Sequence, residues 1–390
     1  MSSTSINGYK LTTPFTTTGG GHCKWAFARR DGEEYFIKQF LMPTYPLPDG
    51  PGSEKTKAIK RGRCERFARQ HQEVKERLAP LSGPGGNLVV ALDFFLHGAH
   101  YYKVTAKVNA GADWMADIAA LSTEDKITLM MKVTNSLDIL HKQKLVHGDI
   151  KPPNILVERS DAGLATKLID FDNCFVPGVP PPPDELVGDL VYYPPEMIDY
   201  MVETGPAGVL TEKADIFALG LTFAEYVDGA IPRFPADCKY PGEAARRGEP
   251  LVVAESPFRD LLTAMLDADP VRRPGCPAIR DILQMLRRAL SGRTSTLPIP
   301  TIPAPGPSPE TGTLTPAARP AATGLQGKLF SQFAKAAGET PAEPATRPTL
   351  RGRLAPPSRS DDAAATTAEL RGRLVTGRPS ADPPAEPPSD

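Results

Sequence analysis

The sequence predicts an α+β fold made of a small, strand-rich lobe followed by a larger, helical lobe. Strand-like segments and one long helical segment fill residues 9–107, whereas residues 108–290 are mostly helical in pattern. Strands and helices segregated along the chain in this way are typical of α+β architecture. Residues 291–390 hold 18 of the 43 prolines and two aromatic residues, so they cannot bury enough apolar surface to offset their ordering entropy. We therefore expect a two-lobed domain followed by a disordered, Pro-rich tail.

Composition excludes several classes of protein. The net charge is −1, which gives no basic field for nucleic acid. No apolar run approaches 18 residues and the N-terminal segment is polar, so neither a transmembrane helix nor a signal peptide is expected. The 5 cysteines are scattered and form no C-x-x-C pair, which fits a reducing cytoplasm better than a disulfide framework or a zinc site. We expect a cytoplasmic protein that binds neither nucleic acid nor membranes.

The small lobe is predicted from turn chemistry and strand alternation. Asp31-Gly32 is a strong hairpin signal and separates the strand-like segments 25–28 and 34–40. Lys38 shares a face of the second strand with two phenylalanines, and a lysine on an inward face needs a reason. Residues 54–78 contain no proline and have apolar residues at helical spacing.

The remaining elements follow from the same periodicities. Strands are predicted at 88–96, 101–108, 155–158 and 166–169, and helices at 112–120, 123–142, 212–228, 257–266 and 278–290. A long loop with several prolines, 171–196, is expected between the last strand and the following helix.

One ordered set of motifs carries the chemistry. His147-Gly148-Asp149-Ile150-Lys151-Pro152-Pro153-Asn154 is followed, after an apolar strand, by Asp170-Phe171-Asp172. These segments resemble the H-R-D-x-K-x-x-N and D-F-G motifs of the eukaryotic-type Ser/Thr protein kinase family, which includes bacterial eukaryotic-like kinases. Further matches occur in the same order at Ile37-Lys38, Tyr192–Glu196, Asp215–Gly220 and Arg272–Pro274. The resemblance covers about residues 10–290 and implies the bilobal protein-kinase fold.

The resemblance assigns roles to the catalytic loop. Asp149 would accept the proton of the substrate hydroxyl, and Lys151 would stabilise the moving phosphate. Asn154 and Asp170 would hold Mg²⁺, or Mn²⁺, through oxygen atoms of the kind that such cations prefer. Arg273 is expected to pair with Glu196 in a structural role.

The resemblance also implies an ATP site. Lys38 would hold the α- and β-phosphates and would need a carboxylate partner on the following helix. We expect Glu73 to be that partner, with Glu65 as the alternative. The pocket would include Thr105, and Leu156 would pack under the adenine ring. Gly19, Gly20 and Gly21 would let backbone N–H groups approach the phosphates, although this run is not the family's G-x-G-x-x-G.

Other departures from the family concern regulation and substrate. Gly148 replaces the arginine that many kinases use to bind an activation-loop phosphate, and residues 171–196 contain no Ser or Thr. We therefore expect activity that does not depend on Ser/Thr phosphorylation of that loop. Asp172 replaces the D-F-G glycine, where its carboxylate could also assist the metal. Asp189 replaces a threonine that is usual in Ser/Thr kinases, so substrate class stays open here, although Lys151 favours Ser/Thr.

The sequence thus predicts an ATP-dependent Ser/Thr protein kinase with protein substrates. Two alternatives stay open: a pseudokinase that binds nucleotide and partners as a scaffold, and a small-molecule phosphotransferase, which the His147-Gly148-Asp149 triplet also resembles. The tail repeats Leu-Arg-Gly-Arg-Leu at 350–354 and 370–374, which indicates either a docking motif for a partner or compositional bias.

Overall fold

The computed structural model describes residues 4–18, 23–82, 86–108, 118, 120–160, 163–290 and 292. All of them belong to one compact unit. The predicted tail, the three glycines at 19–21 and most of the predicted helix at 112–120 therefore lie outside the described residues.

The small lobe is built on a six-stranded antiparallel sheet. Its strands are β1 (Ser5–Ile6), β2 (Tyr9–Leu11), β3 (Cys23–Arg30), β4 (Glu33–Phe40), β5 (Asp93–His97) and β6 (His100–Ala106), in the spatial order β1-β2-β3-β4-β6-β5. The predicted hairpin joins β3 to β4, and both turn residues have positive φ, 53° at Asp31 and 88° at Gly32. That conformation is the one that Asp-Gly turns favour.

One long helix, α1 (Glu54–Leu78), packs against this sheet. Ser53 caps it by accepting a hydrogen bond from the Thr56 backbone N–H. Its buried residues include Cys64, His71, Val74 and Leu78, which fall on one side at helical spacing. The apolar side of α1 is therefore covered and most of its charged residues lie outside, with the exception of Lys57, which is buried.

The large lobe is helical, as predicted, with one small two-stranded sheet. Its helices are α2 (Thr123–Lys142), α3 (Pro195–Met201), α4 (Lys213–Asp228), α5 (Pro241–Arg246), α6 (Arg259–Met265) and α7 (Cys276–Leu290). Strands β7 (Ile155–Ser160) and β8 (Gly163–Leu168) pair antiparallel. The two strands lie between the catalytic-loop motif and the Asp170-Phe171-Asp172 motif, so their antiparallel pairing brings the two motifs together.

A continuous apolar core joins the lobes. Val74 and Leu78 of α1 pack in the same cluster as Leu88, Phe171 and the buried face of α2. The strand predicted over 88–96 is shorter than expected, because Leu88 instead bridges Leu168 of β8 and only Asp93–His97 joins the main sheet. Within the described part of the chain, no helix is both long and apolar enough to cross a membrane.

Candidate active site

A buried carboxylate binds the backbone of the catalytic loop. The backbone N–H groups of His147 and Gly148 donate to the two oxygens of Asp215, at 2.7 and 2.9 Å. Asp215 lies on α4 and is 1% exposed. The His147 ring is fully buried and lies 3.1 Å, through Nε2, from the carbonyl oxygen of Ile169. These bonds fix the loop relative to the strand end that carries Asp170.

Asp149 lies in this catalytic loop and has polar partners on both of its carboxylate oxygens. The amide nitrogen of Asn154 donates to Oδ2 at 3.0 Å and to the Asp149 carbonyl at 2.8 Å. The Lys151 ammonium lies 2.9 Å from Oδ2, and the Asp189 backbone N–H donates to Oδ1 at 3.2 Å. Lys151 is thus next to the carboxylate that the sequence identifies as the base.

The backbones that carry the two predicted metal ligands, Asn154 and Asp170, lie close together beside this loop. Both hydrogen bonds of Asn154 to Asp149 use its amide nitrogen, which leaves the amide oxygen for a cation. The Ile169 N–H donates to the Asn154 carbonyl at 3.0 Å, so Asp170, the next residue, is adjacent. Asp170 has a positive φ of 64°, a conformation that aspartate tolerates better than most residues. An amide oxygen and a carboxylate fit Mg²⁺, which binds proteins through few ligands and takes the rest from substrate phosphates and water.

Lys38 binds two carboxylates, and both come from the Asp170-Phe171-Asp172 motif. Its ammonium lies 2.8 and 3.0 Å from the two oxygens of Asp170 and 2.7 Å from Oδ2 of Asp172. Burial alone would lower the Lys38 pKa, but Asp172 and Asp170 together outweigh it and raise the pKa above its usual range. Lys38 is therefore a permanent cation at the back of the cleft.

A second buried lysine, Lys103 of β6, completes this group. It lies directly opposite Lys38 in the β4–β6 register and pairs with Asp170 at 3.1 Å and, more closely, with Oδ1 of Asp172. We call Lys38, Lys103, Asp170 and Asp172 the lysine–aspartate cluster. Two lysines facing each other across neighbouring strands would repel, and the two aspartates balance their charge.

Asp172 is the most enclosed carboxylate of the cluster. Its side chain is 11% exposed, against 30% for Asp170. Burial opposes its ionisation, but Lys103 and Lys38 more than compensate and hold the Asp172 pKa well below its usual range. The ring of His71, which stacks on Phe94, brings Nε2 to 3.7 Å from Oδ1 of Asp172. Asp172 therefore remains ionised at neutral pH.

The expected partner of Lys38 on α1 is replaced. Glu73 pairs instead with Arg77, one turn further along the helix, at 2.7 Å, and is half-exposed. Among the described residues, the ion pairs of Lys38 are with Asp170 and Asp172, so Glu65 does not take that place either. The prediction of a Lys38–Glu73 pair is wrong for this structure, because Asp172 occupies the position beside the ammonium.

The residues predicted to line the nucleotide pocket lie on both sheets. Thr105 is buried on β6 opposite Phe36, on the same face as Lys38. Leu156 is half-buried on β7 of the small sheet. The face that carries Lys38 is also aromatic, since Trp25 stacks on Phe36 with ring centroids 5.5 Å apart. The indole N–H of Trp25 donates at 2.8 Å to the carbonyl of residue 18, where the predicted phosphate loop begins.

The segment after Asp170 is tied to α1 by ion pairs. Arg63 pairs with Asp184, and Arg66 pairs with Glu185, in each case through a guanidinium Nη2 atom. Gln70 adds a hydrogen bond of 2.8 Å from its amide to the Cys174 carbonyl. We call the four charged residues the arginine clamp.

The same segment also packs on the catalytic loop. Gly148 has a φ of 75°, and a Cβ atom there would lie 2.7 Å from the carbonyl oxygen of Asn173. The backbones of Val146 and Phe175 form a bridge through two hydrogen bonds of 2.8 and 3.1 Å. Glycine at 148 is thus required by a close backbone approach.

The expected structural pair of the large lobe is present. Arg273 donates two parallel hydrogen bonds to Glu196, at 2.7 and 2.8 Å. Arg273 is 1% exposed and Glu196 6% exposed, so the pair is almost fully buried. It anchors the end of the segment that began at Asp170.

Sequence reasoning missed Lys103, His71 and the arginine clamp. Lys103 carried a weaker form of the signal at Lys38, a lysine on the same strand face as one aromatic residue, Tyr101. His71 and the clamp arginines had no such signal, because a charged helix is ordinarily a solvated one.

The sequence of this chain is similar to those of known protein kinases. The sequence model of the protein kinase domain matches residues 53–285, so the match begins after the strand that carries Lys38. A Wee1-like protein kinase of Oryza sativa subsp. japonica is 30% identical over 41% of this chain and 28% of its own length. The serine/threonine-protein kinase ste20 of Aspergillus fumigatus is 29% identical over 57% of this chain and 27% of its own.

A bacterial relative is also similar. The serine/threonine-protein kinase PrkC of Bacillus subtilis is 26% identical over 43% of this chain and 24% of its own length. The matched region is thus only about a quarter of the length of these relatives. The family model covers more than half of this chain, and the catalytic-loop motif, most of the helical lobe and the buried Glu196–Arg273 pair lie within the matched range. The chain therefore belongs to the protein kinase domain family.

Proposed function

We propose that this protein is an ATP-dependent protein kinase that phosphorylates Ser or Thr hydroxyls of protein substrates. The observation that carries the proposal is the geometry of Asp149, whose carboxylate is held by Asn154 and lies 2.9 Å from the Lys151 ammonium. Phosphoryl transfer depends on positioning and on charge neutralisation, and this loop supplies a base and a cation at one place. A scaffold would not require that arrangement.

The residues divide the work as follows. Asp149 orients the substrate hydroxyl and accepts its proton, and Lys151 stabilises the negative charge of the transferred phosphate. Lys38 binds the nucleotide phosphates, while Thr105 and Leu156 contact the base. Asn154 and Asp170 would hold Mg²⁺ or Mn²⁺, which would supply charge neutralisation at the phosphates.

We further propose that activity does not depend on Ser/Thr phosphorylation of the loop between Asp170 and Glu196. The arginine clamp supports this, because Asp184 and Glu185 supply to two α1 arginines the negative charge that a phosphate would add elsewhere. A phosphopeptide map with an essential phosphosite between Asp170 and Glu196 would refute this part.

Partners and location are part of the proposal. The kinase would act on proteins in the cytoplasm, and the tail would recruit a partner through its repeated Leu-Arg-Gly-Arg-Leu segments. A chain that ends at Leu290 should then keep its activity towards a generic substrate while it loses retention by that partner. Equal retention of both chains would contradict the recruitment role.

The kinase assay combines the full chain, labelled ATP, Mg²⁺ or Mn²⁺ and a generic protein substrate. Asp149→Asn should remove transfer while nucleotide binding is kept, because the base does not contact ATP. Lys38→Met should lose both. Phosphoamino-acid analysis should find phosphoserine or phosphothreonine. Nucleotide binding without transfer by the unaltered protein would favour the pseudokinase, and transfer to small molecules alone would favour the other alternative.

A further inference from the structure

The lysine–aspartate cluster contains one cation and one carboxylate more than the proposed chemistry uses. Lys38 is assigned to the nucleotide phosphates and Asp170 to the metal, which leaves Lys103 and Asp172 without a role. Lys103 is 9% and Asp172 11% exposed, and burying charged groups at this depth is costly unless they are paired. Their mutual pairing explains how they are tolerated and leaves open what they do.

Asp172 binds the two lysines through different oxygens. Oδ2 lies 2.7 Å from the Lys38 ammonium, and Oδ1 contacts that of Lys103. The carboxylate is therefore a bridge, and Lys103 fixes the orientation in which it presents Oδ2 to Lys38. Asp170 also bridges the two lysines, but it is nearly three times as exposed.

The two carboxylates are therefore suited to different tasks. Asp170, at 30% exposure, is the one that can turn towards a metal in the cleft. Once the oxygens of Asp170 bind a cation, Asp172 is the only carboxylate of the cluster that still pairs with Lys38. The helix offers no replacement, since Glu73 is engaged by Arg77.

We infer that Lys103 and Asp172 are positioning residues for phosphoryl transfer: Asp172 holds Lys38 in place on the phosphates, and Lys103 holds Asp172. This inference rests on the proposed function. It assigns Asp172 to Lys38 and not to the metal. Lys103 also supplies the charge that keeps the cluster neutral when both aspartates are ionised.

The test compares charge removal with charge retention at position 103. Lys103→Met keeps the apolar stem and removes the ammonium, whereas Lys103→Arg keeps the charge. We expect Lys103→Met and Asp172→Asn each to lower kcat by about 10–100-fold, the usual range for residues that orient a functional group. The kcat of the double variant should be no lower than that of the more impaired single variant, because the two residues act as one unit. Lys103→Arg should recover most of the rate.

The controls separate positioning from packing. Lys107→Met removes a lysine just beyond β6 that pairs with Glu34 at the surface, and Glu73→Gln removes the helix carboxylate; both should leave kcat within about twofold. A packing role predicts that Lys103→Met, which is apolar and similar in size, keeps the rate. Unchanged kcat in Lys103→Met, or multiplied effects in the double variant, would overturn the inference.

A second readout stands apart from activity. Denaturant unfolding of Lys38→Met, Asp172→Asn and their double variant measures the coupling of the two residues directly. The changes in the free energy of unfolding should be non-additive for this pair. For the control pair, Lys38→Met and Glu73→Gln, they should be additive. If the unaltered protein transfers no phosphate, the proposed function fails, and additive unfolding effects would still separately overturn the assignment of Asp172 to Lys38.

Discussion

The two charged centres of the cleft are assembled in different ways. Around Asp149 the side-chain partners lie close in sequence, since Asn154 is five residues away and Lys151 two, and only the backbone N–H of Asp189 comes from further along the chain. In the lysine–aspartate cluster, Lys38 reaches Asp170 across 132 residues and Lys103 reaches it across 67. The first centre follows the family motif closely, whereas the second has a different carboxylate and an added lysine. The family match covers residues 53–285, so it includes the loop around Asp149 and every residue of the cluster except Lys38.

The comparison indicates where a protein kinase domain tolerates change. A local loop whose backbone is bound by Asp215 has little freedom to exchange partners. A cluster drawn from two strands and a loop can exchange one carboxylate for another, provided that charge stays balanced. We therefore expect the largest effects of mutation at the rigid centre and smaller ones at the exchangeable centre.

Breaking the buried Glu196–Arg273 pair, which anchors the end of the segment that begins at Asp170, should have the largest effect on stability. Glu196→Gln leaves the buried guanidinium of Arg273 without its charged partner, and losing one member of a buried pair costs about 3–5 kcal/mol. We expect a corresponding loss in the free energy of unfolding, measured by urea denaturation. The control is Glu255→Gln, which removes an ion pair with Arg259 whose glutamate is 82% exposed and should change stability little. Equal effects of the two changes would contradict the role of burial.

The close approach at Gly148 should give the next largest effect. Gly148→Ala adds a Cβ 2.7 Å from the Asn173 carbonyl and places alanine at positive φ, with an expected cost of about 1–3 kcal/mol and a loss of transfer rate. Gly248→Ala is the matched control, since Gly248 has the same φ of 75° and nothing within 4 Å of its added Cβ. Thermal unfolding and kinase rates of both variants check this. If Gly248→Ala were as impaired as Gly148→Ala, the loss would come from backbone strain at positive φ and not from the contact with the Asn173 carbonyl.

The exchangeable centre should be visible in the pH dependence of stability. The folded-state pKa of Asp172 is lowered, because Lys103 and Lys38 outweigh its burial. Its contribution is therefore fully present above the ordinary carboxyl pKa of about 3.9 and is lost as pH falls through the lower folded-state value. A tenfold change in the acid dissociation constant between the folded and unfolded states corresponds to about 1.4 kcal/mol of stability.

The measurement is urea unfolding of the unaltered protein and of Asp172→Asn from pH 7 down to pH 2. The unaltered protein should be the more stable at pH 7, and the difference should shrink in acid. A difference that stays constant, or one that grows as pH falls, would show that Asp172 is not ionised and paired.

The arginine clamp should contribute less, because its carboxylates are partly exposed, 37% for Asp184 and 23% for Glu185. Replacing Asp184 by Asn and Glu185 by Gln should lower the rate of phosphate transfer by about fivefold, the equivalent of about one kcal/mol. Because salt screens exposed ion pairs, a higher salt concentration should lower the rate of the unaltered protein towards that of the variant. Kinase rates at low and high ionic strength test this. If the variant transfers phosphate as fast as the unaltered protein at low salt, the arginine clamp does not contribute to activity.

How far the sequence predicted this molecule depends on how local each feature is. Helix α1 and the Asp31-Gly32 hairpin follow from periodicity and turn chemistry, which act within a few residues. The loop around Asp149 is equally local. The Lys38 partner was misassigned because ion pairs across 134 residues depend on the strand register and on the path of the loop. The helix carried carboxylates at plausible positions, and nothing in their spacing shows that Arg77 captures Glu73.

The smallest expected effect is the sharpest test of that exchange. In the arrangement expected from the resemblance, Glu73 would hold Lys38, and Glu73→Gln would impair ATP binding and transfer together. In this structure Glu73 is 46% exposed and pairs with Arg77 within one turn of α1, an interaction worth about 0.3–0.5 kcal/mol. We therefore expect Glu73→Gln to leave ATP affinity and kcat unchanged and to lower stability by no more than that amount. A large loss of ATP affinity in Glu73→Gln would mean that α1 delivers its carboxylate to Lys38 in the nucleotide complex. The contrast between a fixed catalytic loop and an exchanged lysine partner would then hold only without nucleotide.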